Sequence, residues 1–159
     1  METPPVSLAL EKLNVPHRVF RHERPVESFE QAASDRGQRP AQVIRTILFR
    51  VGEGDYVMVL VAGPAQISWK KLRKYLHQSR LTMANETEVL AVTGYRVGTV
   101  GPFGLPKPVR VLIETHVLEE EEISIGSGMR NTAVILNCRN LQEALPGAEV
   151  ADLLDEGNP

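Results

Sequence analysis

Cysteine is nearly missing: Cys138 is the only one among 159 residues, and a lone thiol excludes an internal disulfide framework. A reducing cytosol fits, so a cytoplasmic location is expected. No apolar run approaches 18 residues, so no transmembrane helix and no membrane partner are expected. Residues 1–7 lack a basic stretch followed by an apolar one, so no secretory signal is expected there. The four histidines, His17, His22, His77 and His116, stand at none of the usual metal-ligand spacings, and Cys138 adds no ligand. No metal site and no cofactor are expected. A G-x-S-x-G elbow, a P-loop and a dinucleotide fingerprint are all missing. So are internal repeats, linkers and low-complexity segments. The chain is expected to form one domain over residues 1–159, large enough for a core.

Charge of either sign is close to balanced. A formal net charge of -2 argues against bulk, non-specific binding of polyanions. Its distribution is uneven. Basic residues gather at Arg36, Arg39, Arg45 and Arg50, and again at Lys70, Lys71, Arg73 and Lys74. Acidic residues concentrate in residues 119–122 and 149–156. A local basic surface on a near-neutral protein suits a nucleic acid recognised at one end; solvated faces give the same pattern.

What is present are short apolar elements punctuated by caps. Val6, Ala9, Leu10 and Leu13 are spaced as one face of a short helix that ends at residues 14–16. Residues 17–21 read as a strand. Ser28 and Gln31 form a capping-box pattern that opens a helix to about Ser34, burying Phe29, Ala32 and Ala33. Gly37 closes it, and residues 40–43 read as a helical turn. Residues 44–51 and 56–62 are strands joined as a hairpin. Ser68 caps a helix to about Leu76, with Trp69, Leu72 and Leu76 on its buried side and the basic residues elsewhere. Asn85 and Glu88 make another capping box, and Gly94 ends that helix after Thr93. Residues 109–114, 122–127 and 132–138 are further strands, and 139–145 a last helix. Interspersed strands, hairpins and helices predict a mixed-sheet α+β domain.

The richest segment is residues 94–105, with four glycines, one proline and no acidic residue. Such a loop brings bare backbone N–H groups close to a ligand. With the start of the strand at residues 44–46 and the turn at residues 125–131, it suggests a pocket for a carbonyl or phosphate group. Strand alternation places Arg45 on the same face as Ile47, Phe49 and Val51, and Thr46 on the other with Ile44, Leu48 and Arg50. A guanidinium on an apolar face needs a partner. Arg45 is either a ligand-facing cation at a pocket mouth or a structural, snorkelling charge. Ser127 suits a pocket lip or a turn-forming serine. Residues 119–122 read as a solvated turn, and Cys138 as a packed strand-end residue. Any catalysis therefore rests on backbone donors and positioning.

In order and spacing, residues 43–49, 70–72, 93–95, 98–104 and 126–131 resemble the YbaK/prolyl-tRNA synthetase-associated domain family, which includes free-standing aminoacyl-tRNA deacylases and editing domains. Residues 98–102 fit the family's G-x-x-x-P loop. The resemblance covers nearly the whole chain and implies an α+β fold with a mixed, mainly antiparallel, barrel-like sheet flanked by helices. It implies hydrolysis of the ester joining a mischarged amino acid to the terminal adenosine of a tRNA, most plausibly a small amino acid on tRNA for proline. It implies that the glycine-loop backbone holds the aminoacyl end, while water attacks with help from the substrate's own hydroxyl. It implies catalytic roles for Arg45, Gly98 and Gly101. Substrate contacts are implied for Thr46, Tyr95, Thr99, Val100, Pro102, Phe103, Ser127, Gly128 and Arg130. Lys70, Lys71, Arg73 and Lys74 would meet tRNA phosphates. The implied partners are the acceptor end of an aminoacyl-tRNA and an aminoacyl-tRNA synthetase, with no DNA. Active relatives usually carry lysine where this chain has Arg45, and arginine keeps the charge but is effectively never deprotonated. The other reading is a non-catalytic tRNA- or synthetase-associated module that lost turnover through that change.

Overall fold

The structure, a computed structural model, describes residues 2–155. Helix α1 (Pro5–Lys12) opens on a proline, whose missing N–H is harmless in a first turn. It buries Val6 and Leu10; Leu13, expected on that face, is the exposed C-cap, where the chain has already turned away. Strand β1 (Arg18–Arg21) follows. Helix α2 (Phe29–Asp35) begins where the Ser28 hydroxyl accepts the Gln31 N–H. The return contact of the expected capping box reaches one residue further back, with Glu27 N–H donating to the Gln31 side chain. A single 3-10 turn (Pro40–Gln42) leads into β2 (Ile44–Arg50), which forms a hairpin with β3 (Tyr56–Ala62).

Helix α3 (Trp69–Leu76) is capped by the Ser68 hydroxyl and ends at His77 in the left-handed region. A two-residue strand, β4 (Thr82–Met83), precedes α4 (Glu86–Thr93). Both halves of the Asn85–Glu88 capping box are formed, and Gly94 closes the helix at φ 78°. The second half holds β5 (Arg110–Glu114), a 3-10 turn (Thr115–Glu119), β6 (Glu122–Gly126), β7 (Thr132–Asn137), α5 (Cys138–Ala144) and β8 (Glu149–Ala151).

The expected mixed α+β architecture is present, divided between two sheets. One is antiparallel, in the order β1-β7-β6. The other has the order β4-β2-β3-β5-β8, antiparallel across β4, β2 and β3 and parallel from β3 to β8. A parallel bridge between Val43 and Ser124 links them, and no closed barrel forms among the described residues.

Both faces of the five-stranded sheet are buried. Ile44, Leu48, Met58, Leu60 and Ile113 pack with Ile125 and Val134 of the smaller sheet and with Val6, Leu10, Val89 and Leu141 of the helices. Phe49, Val57, Val59, Val61 and Leu112 pack on the opposite side with Leu72 and Leu76 of α3. Burial on both sides explains why β3 is almost continuously apolar. Trp69, expected inside, is 37% exposed: it is the first residue of α3, at the end of the helix, and meets Phe49 in a T-shaped ring contact, 5.3 Å between centroids.

A buried carboxylate ties the end of β5 to the C-terminal segment. Glu114 has no exposed surface and accepts N–H bonds from His116 and Leu153, a hydroxyl bond from Thr115 and a ring contact with His116 Nδ1 at 2.7 Å. Burial alone pushes its pKa up, but these donors outweigh burial and hold it below the ordinary glutamate value.

Candidate active site

A cavity of about 450 Å³ lies where α2, the start of β2, the glycine loop and the turn between β6 and β7 converge. Strand β4 pairs with β2 only at Phe49 and Arg50. The outer edge of residues 44–47 therefore carries no strand neighbour from β4, and these residues form one wall. Gly98 and Val100 form a second wall with Ile125 and Gly126, and Val26, Phe29, Ala32 and Arg36 close the third.

Four of the residues singled out from sequence line this cavity: Arg45, Thr46, Gly98 and Val100. Alternation along β2 sends Arg45 and Thr46 to opposite faces. Arg45 turns toward the β3–α3 connection, where Nε donates to the Gly63 carbonyl at 2.7 Å and Nη2 donates to the Ala65 carbonyl. No carboxylate partners it among the described residues, and burial lowers its pKa. The Thr46 hydroxyl is buried and unpartnered, a state a native protein tolerates only rarely. Gly98 adopts φ +90°, and its N–H and that of Val100 donate to no protein acceptor among the described residues.

The remaining loop candidates stand outside the cavity lining, where they hold its wall together. The Tyr95 hydroxyl donates to the Phe103 carbonyl, and both residues are buried. The Thr99 hydroxyl donates to Arg96 O at 2.8 Å, while Thr99 O accepts the Gly128 N–H at 2.8 Å. Pro102 is buried. Gly101 lies against Gly126, so that a Cβ on Gly101 would overlap the Gly126 carbonyl and come within 2.9 Å of Val6. A Cβ on Gly126 would overlap the Val100 carbonyl, and one on Gly128 would sit 2.8 Å from the Tyr95 ring. Ser127 is fully buried: its hydroxyl donates toward Met129 O and Thr132 O and accepts Met129 N–H, which makes it a turn-forming serine. Arg130 is exposed beside Arg96 and Val97 in a shallow surface hollow.

The α3 cations are not in the cavity. Lys70 and Lys74 are exposed, Arg73 is half-buried, and Lys71 Nζ lies 3.5 Å from Asp152. The connection that Arg45 grips, residues 63–65, leads directly into this helix. Cys138 is buried, its thiol 3.5 Å from the Val117 carbonyl and its pKa pushed up by burial, as suits packing rather than attack. Among the described residues, no group of three or more His, Cys, Asp or Glu could hold a metal ion, and no helix is long and apolar enough to cross a membrane.

Sequence reasoning missed Arg36 as a site residue. It counted only as part of a basic run, yet it reaches the cavity from the C-cap of α2. Its partners, His22 and Ser124, lie 14 and 88 residues away in sequence.

Residues 23–144 match the family described as aminoacyl-tRNA editing domain. A proline–tRNA ligase of Leuconostoc mesenteroides is 28% identical over 120 residues, which are 76% of this chain but only 19% of that protein. The chain thus spans a small part of the length of such ligases. The uncharacterized protein YwhH of Bacillus subtilis is 33% identical over 126 residues, 79% of each chain. The crystal structure of a candidate trans-editing enzyme for prolyl tRNA synthetase superposes with a TM-score of 0.86 at 27% identity, covering 96% of both chains.

Proposed function

Since this chain belongs to the aminoacyl-tRNA editing domain family, we propose that it hydrolyses the ester of a mischarged aminoacyl-tRNA, with a small amino acid on tRNA for proline as the favoured substrate. One observation carries this reading. Gly98 and Val100, whose N–H groups are uncommitted among the described residues, line one cavity together with Arg45 and Thr46. Preorganised N–H donors stabilise the oxyanion that forms when water attacks an ester carbonyl. Arg45 would steady the substrate's phosphate or carbonyl, Thr46 would accept or donate one further bond, and the substrate's own ribose hydroxyl would assist the water. The products are free amino acid and deacylated tRNA. A cavity of this size would act as a second sieve, admitting side chains that a synthetase rejects poorly by binding alone. The acceptor end would enter from the solvent side, α3 would offer Lys70 and Lys74 to phosphates, and a synthetase would be a functional partner in the cytoplasm.

A specific contact favours a second reading. The Arg45 guanidinium already serves the Gly63 and Ala65 carbonyls, an occupation that suits a structural cation in a non-catalytic, tRNA- or synthetase-associated module. Purified protein assayed against a panel of mischarged tRNAs separates the two. Release above the spontaneous rate, unaffected by chelators, supports the hydrolase. No release from any member, with tRNA still bound, supports the module.

A further inference from the structure

Behind the cavity runs a row of polar groups that the reaction outlined above does not use. The His22 side chain has no exposed surface, and its Nδ1 lies 3.2 Å from Asp35 Oδ2. Arg36 Nε donates to His22 Nε2 at 3.1 Å. A guanidinium can only donate, so Nε2 must present its lone pair, and the ring proton sits on Nδ1, facing Asp35. The edge of the Phe20 ring packs against the imidazole at 4.9 Å. On its other side, Arg36 Nη1 donates to Ser124 Oγ at 2.9 Å. Ser124 is fully buried and faces Val43 in the bridge between the two sheets.

Two bonds on different edges fix the plane of the Arg36 guanidinium and leave Nη2 without a hydrogen bond among the described residues. The cavity that Arg36 lines combines apolar residues, Phe29, Ala32, Val43, Ile44 and Ile125, with the polar Glu27, Ser28 and Thr132. Burial lowers the pKa of Arg36. Nη2 is not one of the buried unpaired polar atoms among the described residues, so it is a held donor open to an acceptor that enters the cavity. The two cavity arginines also differ in what holds them. Arg45 is anchored to the β3–α3 connection, whereas Arg36 is anchored to a buried serine at the junction of the sheets. Arg45 is thus committed to carbonyls of its own chain, and Arg36 is the arginine of this cavity that keeps a donor for the amino-acid side chain.

Resting on the reading of this cavity as an aminoacyl pocket, we propose that Arg36 is its specificity-determining residue: Nη2 donates to an oxygen on the bound amino acid's side chain, so that acceptor-bearing side chains are taken in preference to alkyl ones of the same size. His22 and Asp35 are positioning residues that hold the guanidinium in this orientation. A site built to hydrogen-bond a substrate oxygen discriminates strongly against the analogue lacking it, since the site's own donor is then left unpaired.

Serine and alanine differ by that one oxygen. The probes are seryl- and alanyl-adenosine joined through a non-hydrolysable 3′-amide, titrated by calorimetry, together with release from seryl- and alanyl-tRNA of one tRNA body. The wild type is expected to favour the seryl probe by about 10- to 100-fold, the range of a charge-assisted hydrogen bond. Arg36→Met should bring the ratio near one by weakening the seryl probe alone. His22→Leu should also narrow the ratio, while His22→Gln, which restores an acceptor, should keep most of it. Equal wild-type affinities, equal loss of both probes in Arg36→Met, or no binding of either probe would overturn the proposal. Discrimination by the amides without release from either tRNA would uphold it while refuting the deacylase reading.

Discussion

At Arg45, two roles predict different outcomes for one substitution. If the guanidinium steadies the reacting ester, Arg45→Ala should lower turnover by roughly two to three orders of magnitude, the usual effect of losing a transition-state donor. Arg45→Lys should then retain or raise it. If the residue only tethers the carbonyls of Gly63 and Ala65, Arg45→Ala should lower the melting temperature and leave single-turnover chemistry within a few-fold. Steady-state kinetics alongside thermal unfolding distinguish these. The two glycines once grouped as catalytic also part company. Gly98 has open space around it but a left-handed backbone, so Gly98→Ala should strain the loop by about 1–2 kcal/mol and place a methyl beside the cavity, harming activity more than folding. Gly101→Ala drives a methyl into the Gly126 carbonyl and Val6, so stability and activity should fall together in denaturant titrations.

Among the elements, α3 is the one that the proposed function offers to RNA. Lys70 and Lys74 are its exposed cations. The Lys70→Ala, Lys74→Ala double variant should raise KM, spare the single-turnover rate, and flatten the salt dependence of tRNA binding by roughly 0.7 to 0.9 per lost phosphate contact. An unchanged slope would make α3 a solvated helix. How far elements were legible depended on how much local chemistry defines them. Strand β3 was readable to the residue because it is almost continuously apolar and begins just after a glycine-rich hairpin turn. Helices α2, α3 and α4 announced themselves through Ser28, Ser68 and Asn85. Strands β4 and β8 were not readable: two or three residues carry no period, and they are strands only because β2 and β5 offer them an edge. The site divided the same way. Arg45 and Thr46 stood out by alternation and Gly98 by glycine density. Arg36, at a helix cap among polar neighbours, is defined only by distant partners.

For the whole molecule, Glu114 sets a pH limit. Its pKa is held below that of an unfolded glutamate, so the folded state binds this proton less readily. The stabilisation is therefore full above the unfolded glutamate range and is lost as pH falls through the depressed folded value. Glu114→Gln should cost about 1–3 kcal/mol near neutrality, and the difference from wild type should shrink as the solution is acidified, measured by urea unfolding at several pH values. A constant difference across the series would mean that the charge is not what matters.

The contact of Gly101 and Gly126 with the backbones opposite them has a further consequence for how such a protein changes over generations. Where main chain meets main chain, no rotamer can yield to accommodate a new neighbour, so drift at either glycine is closed off unless the other strand of the contact moves as well. The wall at α2 is built differently: Phe29, Ala32 and the C-cap Arg36 line the cavity from a helix, whose side chains are exchangeable one at a time. Inheritance can therefore preserve the glycine-built half of the cavity while reshaping the half at α2, and lineages should diverge first along α2.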